Sequence, residues 1–162
     1  MFALRYAALL TLVIWVGGLL ALGAIAAPSL FDVLAAKQIP ESRMLAGALF
    51  GEMLRRFHLV SYGAGALLLG TLVLRRVLGP RPRRFGWRAG LATVMLGASA
   101  WSGLVVATRI AQLQQEIGVA PSSLPDGDAR RVAFGRLHEL STALLLVPLV
   151  GGLMLIFWEI KE

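Results

Sequence analysis

The sequence contains no cysteine. Disulfide scaffolds, thiol catalysis, iron–sulfur clusters and cysteine-based zinc sites are therefore excluded. Charge is scarce as well: only 15% of the 162 residues are Asp, Glu, Lys or Arg, and 9 acids stand against 16 Lys and Arg. A soluble domain carries about one quarter charged residues because water must solvate its surface, so much of this surface faces something else. Histidine is down to two copies, His58 and His138. Hydrolytic triads, the HExxH zinc spacing and phosphate-binding loops are missing, so no complete catalytic constellation is in view.

What is present is apolar. Hydrophobic residues make up 57% of the chain and the mean hydropathy is +0.75. Charges bound four uncharged runs: Tyr6 to Phe31, Phe57 to Leu74, Ala89 to Thr108 and Leu140 to Trp158. A charge at the bilayer centre costs several kcal/mol, and a helix needs about 20 apolar residues to cross. The predicted fold is therefore an all-α polytopic membrane protein, one four-transmembrane-helix bundle over residues 1–162, with spans at about 6–29, 57–78, 87–108 and 138–159. After Pro40, residues 42–56 should form an amphipathic helix that runs into the second span, and 129–137 should lead into the fourth after the breaker-rich turn PSSLPDGD. The first run imitates a secretory signal ending in Ala24-Ile25-Ala26. Its apolar length exceeds the roughly 7–15 residues of a signal core, and retention is expected.

Orientation follows from charge density. The loop from Arg75 to Arg88 holds six Arg and no acid, whereas the two longer opposite segments, Asp32 to Arg56 and Arg109 to Glu139, carry eight basic residues against seven acidic ones. This density puts the Arg-rich loop and both termini in the cytoplasm, and Trp87 and Trp158 suit an interfacial belt on that side. The basic residues lie at membrane boundaries with no aromatic–basic interleaving, so membrane lipids rather than nucleic acid are the expected contact.

A repeat runs through the chain. Arg56-Phe57-His58-Leu59-Val60-Ser61 matches Arg136-Leu137-His138-Glu139-Leu140-Ser141, and Trp15-Val16-Gly17 matches Trp101-Ser102-Gly103, at offsets of 80 and 86 residues. The helix pairs 1–2 and 3–4 read as two parallel copies of one hairpin, related by a pseudo-twofold axis along the membrane normal. The histidines become symmetry mates at the outer boundary, which a compact bundle would bring face to face.

Two facing imidazoles suit the axial positions of a haem b. In that reading His58 and His138 are the ligands, Arg55, Arg56, Arg109 and Arg136 take the propionates, and Ser61 and Ser141, three residues beyond each histidine, orient the rings. Gly63, Gly65, Gly97 and Gly103 would leave room for the macrocycle, although close helix packing uses the same residues. Trp15 and Trp101, deep in their spans, read as core packing. Copper is the weaker cofactor: Met53 lies about 140° around the helix from His58, and Met44 about 20 Å along it. Zinc is weaker again, with only Glu52 and Glu139 as carboxylates. The charges beside the histidines have a plainer reading, an ion-pair cluster fixing the outer ends of helices 2, 3 and 4.

The motifs Trp15 to Gly18 (W-x-G-G), Ala27 to Phe31 (A-P-x-L-F), Thr108 to Ile110 (T-R-I) and Phe134 to Ser141 (F-G-R-L-H-x-L-S) resemble a small bacterial four-helix membrane family of unknown function related to animal transmembrane protein 205. The first two motifs also distantly resemble the copper-resistance D proteins and the haem-binding membrane protoporphyrinogen oxidases. That kinship implies haem or metal chemistry in a bacterial inner membrane, but the oxidases' first-helix histidine has no counterpart here. Two functions follow as expectations. One is a haem or metal-binding protein for electron transfer or haem and metal handling. The other is an accessory or assembly subunit of a larger respiratory or photosynthetic membrane complex, with homo-oligomers also open. Transport is disfavoured because no span contains an internal acid.

Overall fold

The structure, a computed structural model, describes residues 2–38, 41–79 and 84–161. Pro40, and Arg81 and Arg83 of the Arg-rich loop, lie outside the described residues. Four helices, α1 (Phe2–Ala36), α2 (Ser42–Leu78), α3 (Phe85–Ile117) and α4 (Ala129–Ile160), are each long and apolar enough to cross a membrane. The all-α four-helix architecture is therefore present. At about 1.5 Å per residue each helix is about 50 Å long, well beyond a hydrocarbon core of about 30 Å, so the helices project past it. Residues 42–56 and 129–137 are continuous with the spans they precede. Helices α1 and α3 also run on past their apolar runs, to Ala36 and Ile117.

Local chemistry sets the boundaries between α3 and α4. Gly118 adopts φ 68 and donates its N–H to the Gln114 carbonyl at 3.1 Å, a left-handed stop that only glycine takes without strain. Asp128 caps α4, its Oδ1 accepting the Arg130 N–H at 2.8 Å.

Helix α1 packs on α2 and α4, and α3 packs on the same two, so α1 and α3 stand diagonally opposed, as do α2 and α4. Leu12, Trp15, Leu68 and Met95 fill the axis. Lipid tails are as apolar as leucine, so a membrane bundle depends on close packing, and glycine permits it. Gly18 lies under the Phe57 ring, Gly65 against Leu96, Gly152 against Val16, and Gly151 against Met95, whose Cγ and Sδ lie 2.9 Å from where a Cβ would stand.

Two helices contain a widened π segment, Ala21–Ala26 in α1 and Ser102–Val106 in α3. In α1 the cause is Pro28, which lacks an N–H and crowds the carbonyl four residues back; the chain adapts with an i→i−5 bond from Ala27 to Leu22. In α3 the matching bond runs from Ala107 to Ser102, and no proline follows. The segments begin 81 residues apart, close to the offset of the histidines. At an offset of 80, Gly103 corresponds to Gly23, not to Gly17. The tryptophan motif is thus a poorer marker of the repeat. Trp15 is fully buried as expected, but Trp101, at 57% exposed, faces outward and is not core.

Candidate functional site

Ionisable side chains gather at the end of the bundle that carries the chain termini, and each helix contributes one. Glu159 of α4 is buried, and its Oε1 accepts from Nη1 of Arg75 (α2) and from Nη1 of Arg88 (α3), each at 2.7 Å. Both arginines are buried as well. Arg88 also donates to the Trp158 carbonyl at 2.9 Å, and Arg5 of α1 donates to the Glu159 carbonyl at 2.8 Å. Guanidinium groups suit the last turn of a helix, where carbonyls lack intrahelical partners. A carboxylate at such a site must be paired, because an unpaired buried charge costs several kcal/mol. This network escaped the sequence reading. Its signal was there: Arg5, Arg75, Arg88 and Glu159 are the charges that bound the four apolar runs on one side.

At the distal end the pairs among the described residues stay within one helix or between a helix and the turn before it. Glu52 is bonded by Arg55 and Arg56, all on α2, at 2.7 Å. Asp128 pairs with Arg130 at 2.9 Å, and Asp126 with Arg131 at 2.6 Å. Among the described residues the expected cluster joining helices 2, 3 and 4 is not formed there; charge crosses between helices at the opposite end. Arg109, Arg136 and Glu139 are exposed.

His58 sits inside the bundle, 3% exposed. It lies over Gly103 in the π segment of α3: a Cβ on Gly103 would stand 2.7 Å from the imidazole Cγ and would collide with the Tyr62 hydroxyl. The Tyr62 ring stacks beside the imidazole at 6.1 Å, one turn along α2. Both ring nitrogens of His58 are buried without a hydrogen-bond partner, as are the Ser102 hydroxyl next to Gly103 and the Trp15 indole N–H. Most buried polar groups find partners, so these atoms, like Oε2 of Glu159, which accepts no hydrogen bond, call for an explanation. Ser61, one turn from His58, and Ser141 are buried too.

His138 is placed differently. It is exposed on α4 and stacks on Phe134 of its own helix at 6.2 Å. The expectation that the bundle brings the two imidazoles face to face is not met. Helices α2 and α4 are diagonal and the axis between them is filled, so the two histidines are not gathered into one site. Of the proposed glycines, Gly65 and Gly103 are packed against side chains, whereas a Cβ on Gly63 or Gly97 would meet nothing within 4 Å. Among the described residues no group of three or more His, Asp or Glu could hold a metal ion. Met44 and Met53 do not join His58 either, since Met53 is exposed and Met44 lines a separate surface hollow with Glu41, Leu45 and Ala48.

A family model described as a domain of unknown function, DUF4149, matches residues 10–118. The chain belongs to the DUF4149 family. The match takes in both π segments, His58 and Gly103 and stops before α4, so His138 and Glu159 lie beyond it. No curated protein and no solved structure matches the chain.

Proposed function

We propose that the protein is a non-enzymatic binding protein of the bacterial inner membrane, its termini in the cytoplasm, that handles haem or a metal ion through His58. The observation that carries this reading is the His58 imidazole, buried with neither ring nitrogen hydrogen-bonded. An ionisable residue inside a membrane bundle is costly unless it has a partner, and an uncommitted imidazole nitrogen is a ligand for iron, copper or zinc. Ser102 and Trp15 add a hydroxyl and an indole N–H without partners. The resemblance to copper-resistance D proteins and haem-binding oxidases points to the same chemistry. One histidine leaves the remaining coordination positions open, which suits uptake and release better than a fixed electron-transfer haem. For a haem, α2 and α3 would have to part at Gly103, because His58 and Tyr62 cover it; a single ion needs no such movement.

The test is an absorption spectrum and metal analysis of the full chain purified in mild detergent after growth with added haem, copper or zinc. A Soret band or a stoichiometric metal is expected in the wild type and in His138→Ala, and is lost in His58→Ala. Retention in His58→Ala, or equal loss in both variants, overturns the single-histidine reading. A second reading, an accessory or assembly subunit of a larger respiratory or photosynthetic membrane complex, draws on the ion network that ties all four helices into one body. Colourless, metal-free protein that co-purifies with a stoichiometric partner would replace the first reading with this one.

A further inference from the structure

The sequence repeat that relates α2 to α4 and α1 to α3 pairs the residues of the His58 site with residues on α4 and α1. In that pairing His138 stands for His58 and Gly23 for Gly103, both at an offset of 80. The two places are filled differently. Over Gly103 lie His58 and Tyr62, whereas a Cβ on Gly23 would meet nothing within 4 Å. Instead a cavity of about 160 Å³ opens beside Gly23, walled by Leu22 of α1, Phe50 and Leu54 of α2, and Leu145 and Leu149 of α4. Thr142 is the polar residue of its wall, and its hydroxyl donates to the His138 carbonyl at 3.0 Å.

The chemistry of the wall selects the guest. An apolar cavity of about 150 Å³ stays dry and accepts apolar molecules. This one lies along helices that cross a membrane, where the apolar molecule at hand is a lipid tail. His138 stands one turn from Thr142 toward the distal end, exposed, and Arg136, two residues before it, is exposed as well. Cationic side chains at a span boundary match a lipid phosphate. We propose that the groove between α1, α2 and α4 holds one acyl chain of a phospholipid whose phosphate lies at the level of His138. The two glycines matched in the sequence repeat then differ in what covers them: a histidine closes over Gly103, and a lipid tail fills the space beside Gly23.

The full chain, placed in nanodiscs of phosphatidylcholine and phosphatidylglycerol and extracted in mild detergent, is examined by native mass spectrometry for retained phospholipid. The wild type is expected to keep a lipid that Gly23→Leu loses, because the leucine side chain fills the cavity. Gly63→Leu, which also adds bulk where nothing lies within 4 Å but on an exposed face of α2, keeps it. Wild type without retained lipid, or equal retention in Gly23→Leu, overturns the proposal. A phosphatidylcholine carrying a diazirine on its acyl chain gives a readout on the unmodified chain. Its crosslinks should concentrate at Leu19–Gly23 and Leu145–Leu149; an even spread over all four helices contradicts the groove.

Discussion

The two ends of the bundle hold their helices by different means. At the termini end one buried residue, Glu159, ties α4 to arginines of all three other helices, its carboxylate accepting from Arg75 and Arg88 and its backbone carbonyl from Arg5. At the distal end the pairs formed among the described residues lie within one helix or between a helix and the turn before it, as those of Glu52 with Arg55 and Arg56 do. Among the described residues no ion pair joins two helices there; Arg43 of α2 donates to the Ser122 hydroxyl in the segment between α3 and α4 at 3.5 Å. Both π segments, the unpartnered His58 and the open groove beside Gly23 lie in that distal half. A buried ion network thus closes one end, while the distal half holds the widened helical turns of the two diagonal helices, and π segments gather at functional sites.

The sharpest test of this contrast removes one carboxylate from each end. Glu159→Ala leaves buried arginines facing one another without their shared acceptor, and breaking a buried pair in this way costs about 3–5 kcal/mol. Thermal unfolding in detergent should show a large fall in midpoint. Glu159→Gln keeps the volume and removes the charge, so a comparable fall there assigns the loss to charge and not to packing. Glu52→Ala should leave the midpoint unchanged, because exposed pairs contribute little. Equal falls in the Glu159 and Glu52 variants would erase the difference between the ends.

The sequence made the four spans legible because charge so seldom enters them, and the lead-in helices because they share the spans' periodicity. It also singled out His58, Gly103 and Trp15. It could not assign His138, since an identical local motif sits on both helices and the difference arises across the interface: Gly103 faces His58, and open space faces Gly23. Nor did it reveal the Glu159 network. Arg5, Arg75, Arg88 and Glu159 are far apart in sequence, and each alone reads as an ordinary boundary charge; only the packing order of the helices brings the three arginines to Glu159. The Trp101 motif misled for the opposite reason, because a short apolar motif says nothing about which face of a helix it occupies.

A smaller effect separates the two halves of the repeat. Gly103→Leu forces a side chain into the imidazole and the phenol above it, and overpacking of this kind costs about 1–3 kcal/mol. Gly23→Leu, its repeat counterpart, enters open space and should leave the unfolding midpoint level or slightly raised. The same pair of variants measured in detergent without added lipid keeps the comparison free of lipid binding. If both substitutions destabilise equally, the open groove is not a property of the folded chain.

The smallest effect belongs to the exposed start of α4. The Arg130 side chain and backbone N–H hold the Asp128 carboxyl below its ordinary range. A carboxyl whose folded value is depressed contributes fully above its unfolded value of about 3.9, and the contribution is lost as pH falls through the lower folded value. The cap should therefore be intact throughout pH 5 to 8, where many histidine-dependent effects titrate, and fail only in stronger acid. Asp128→Ala should speed amide exchange in residues 129–132 by removing the acceptor of the Arg130 N–H, while residues 150–158, deep in the bundle, remain as protected as before. Asp128→Asn should restore most of the protection, since an amide oxygen still caps. Faster exchange spreading to the Glu159 end would mean that the two ends are coupled, and that the base does not hold independently of the distal half.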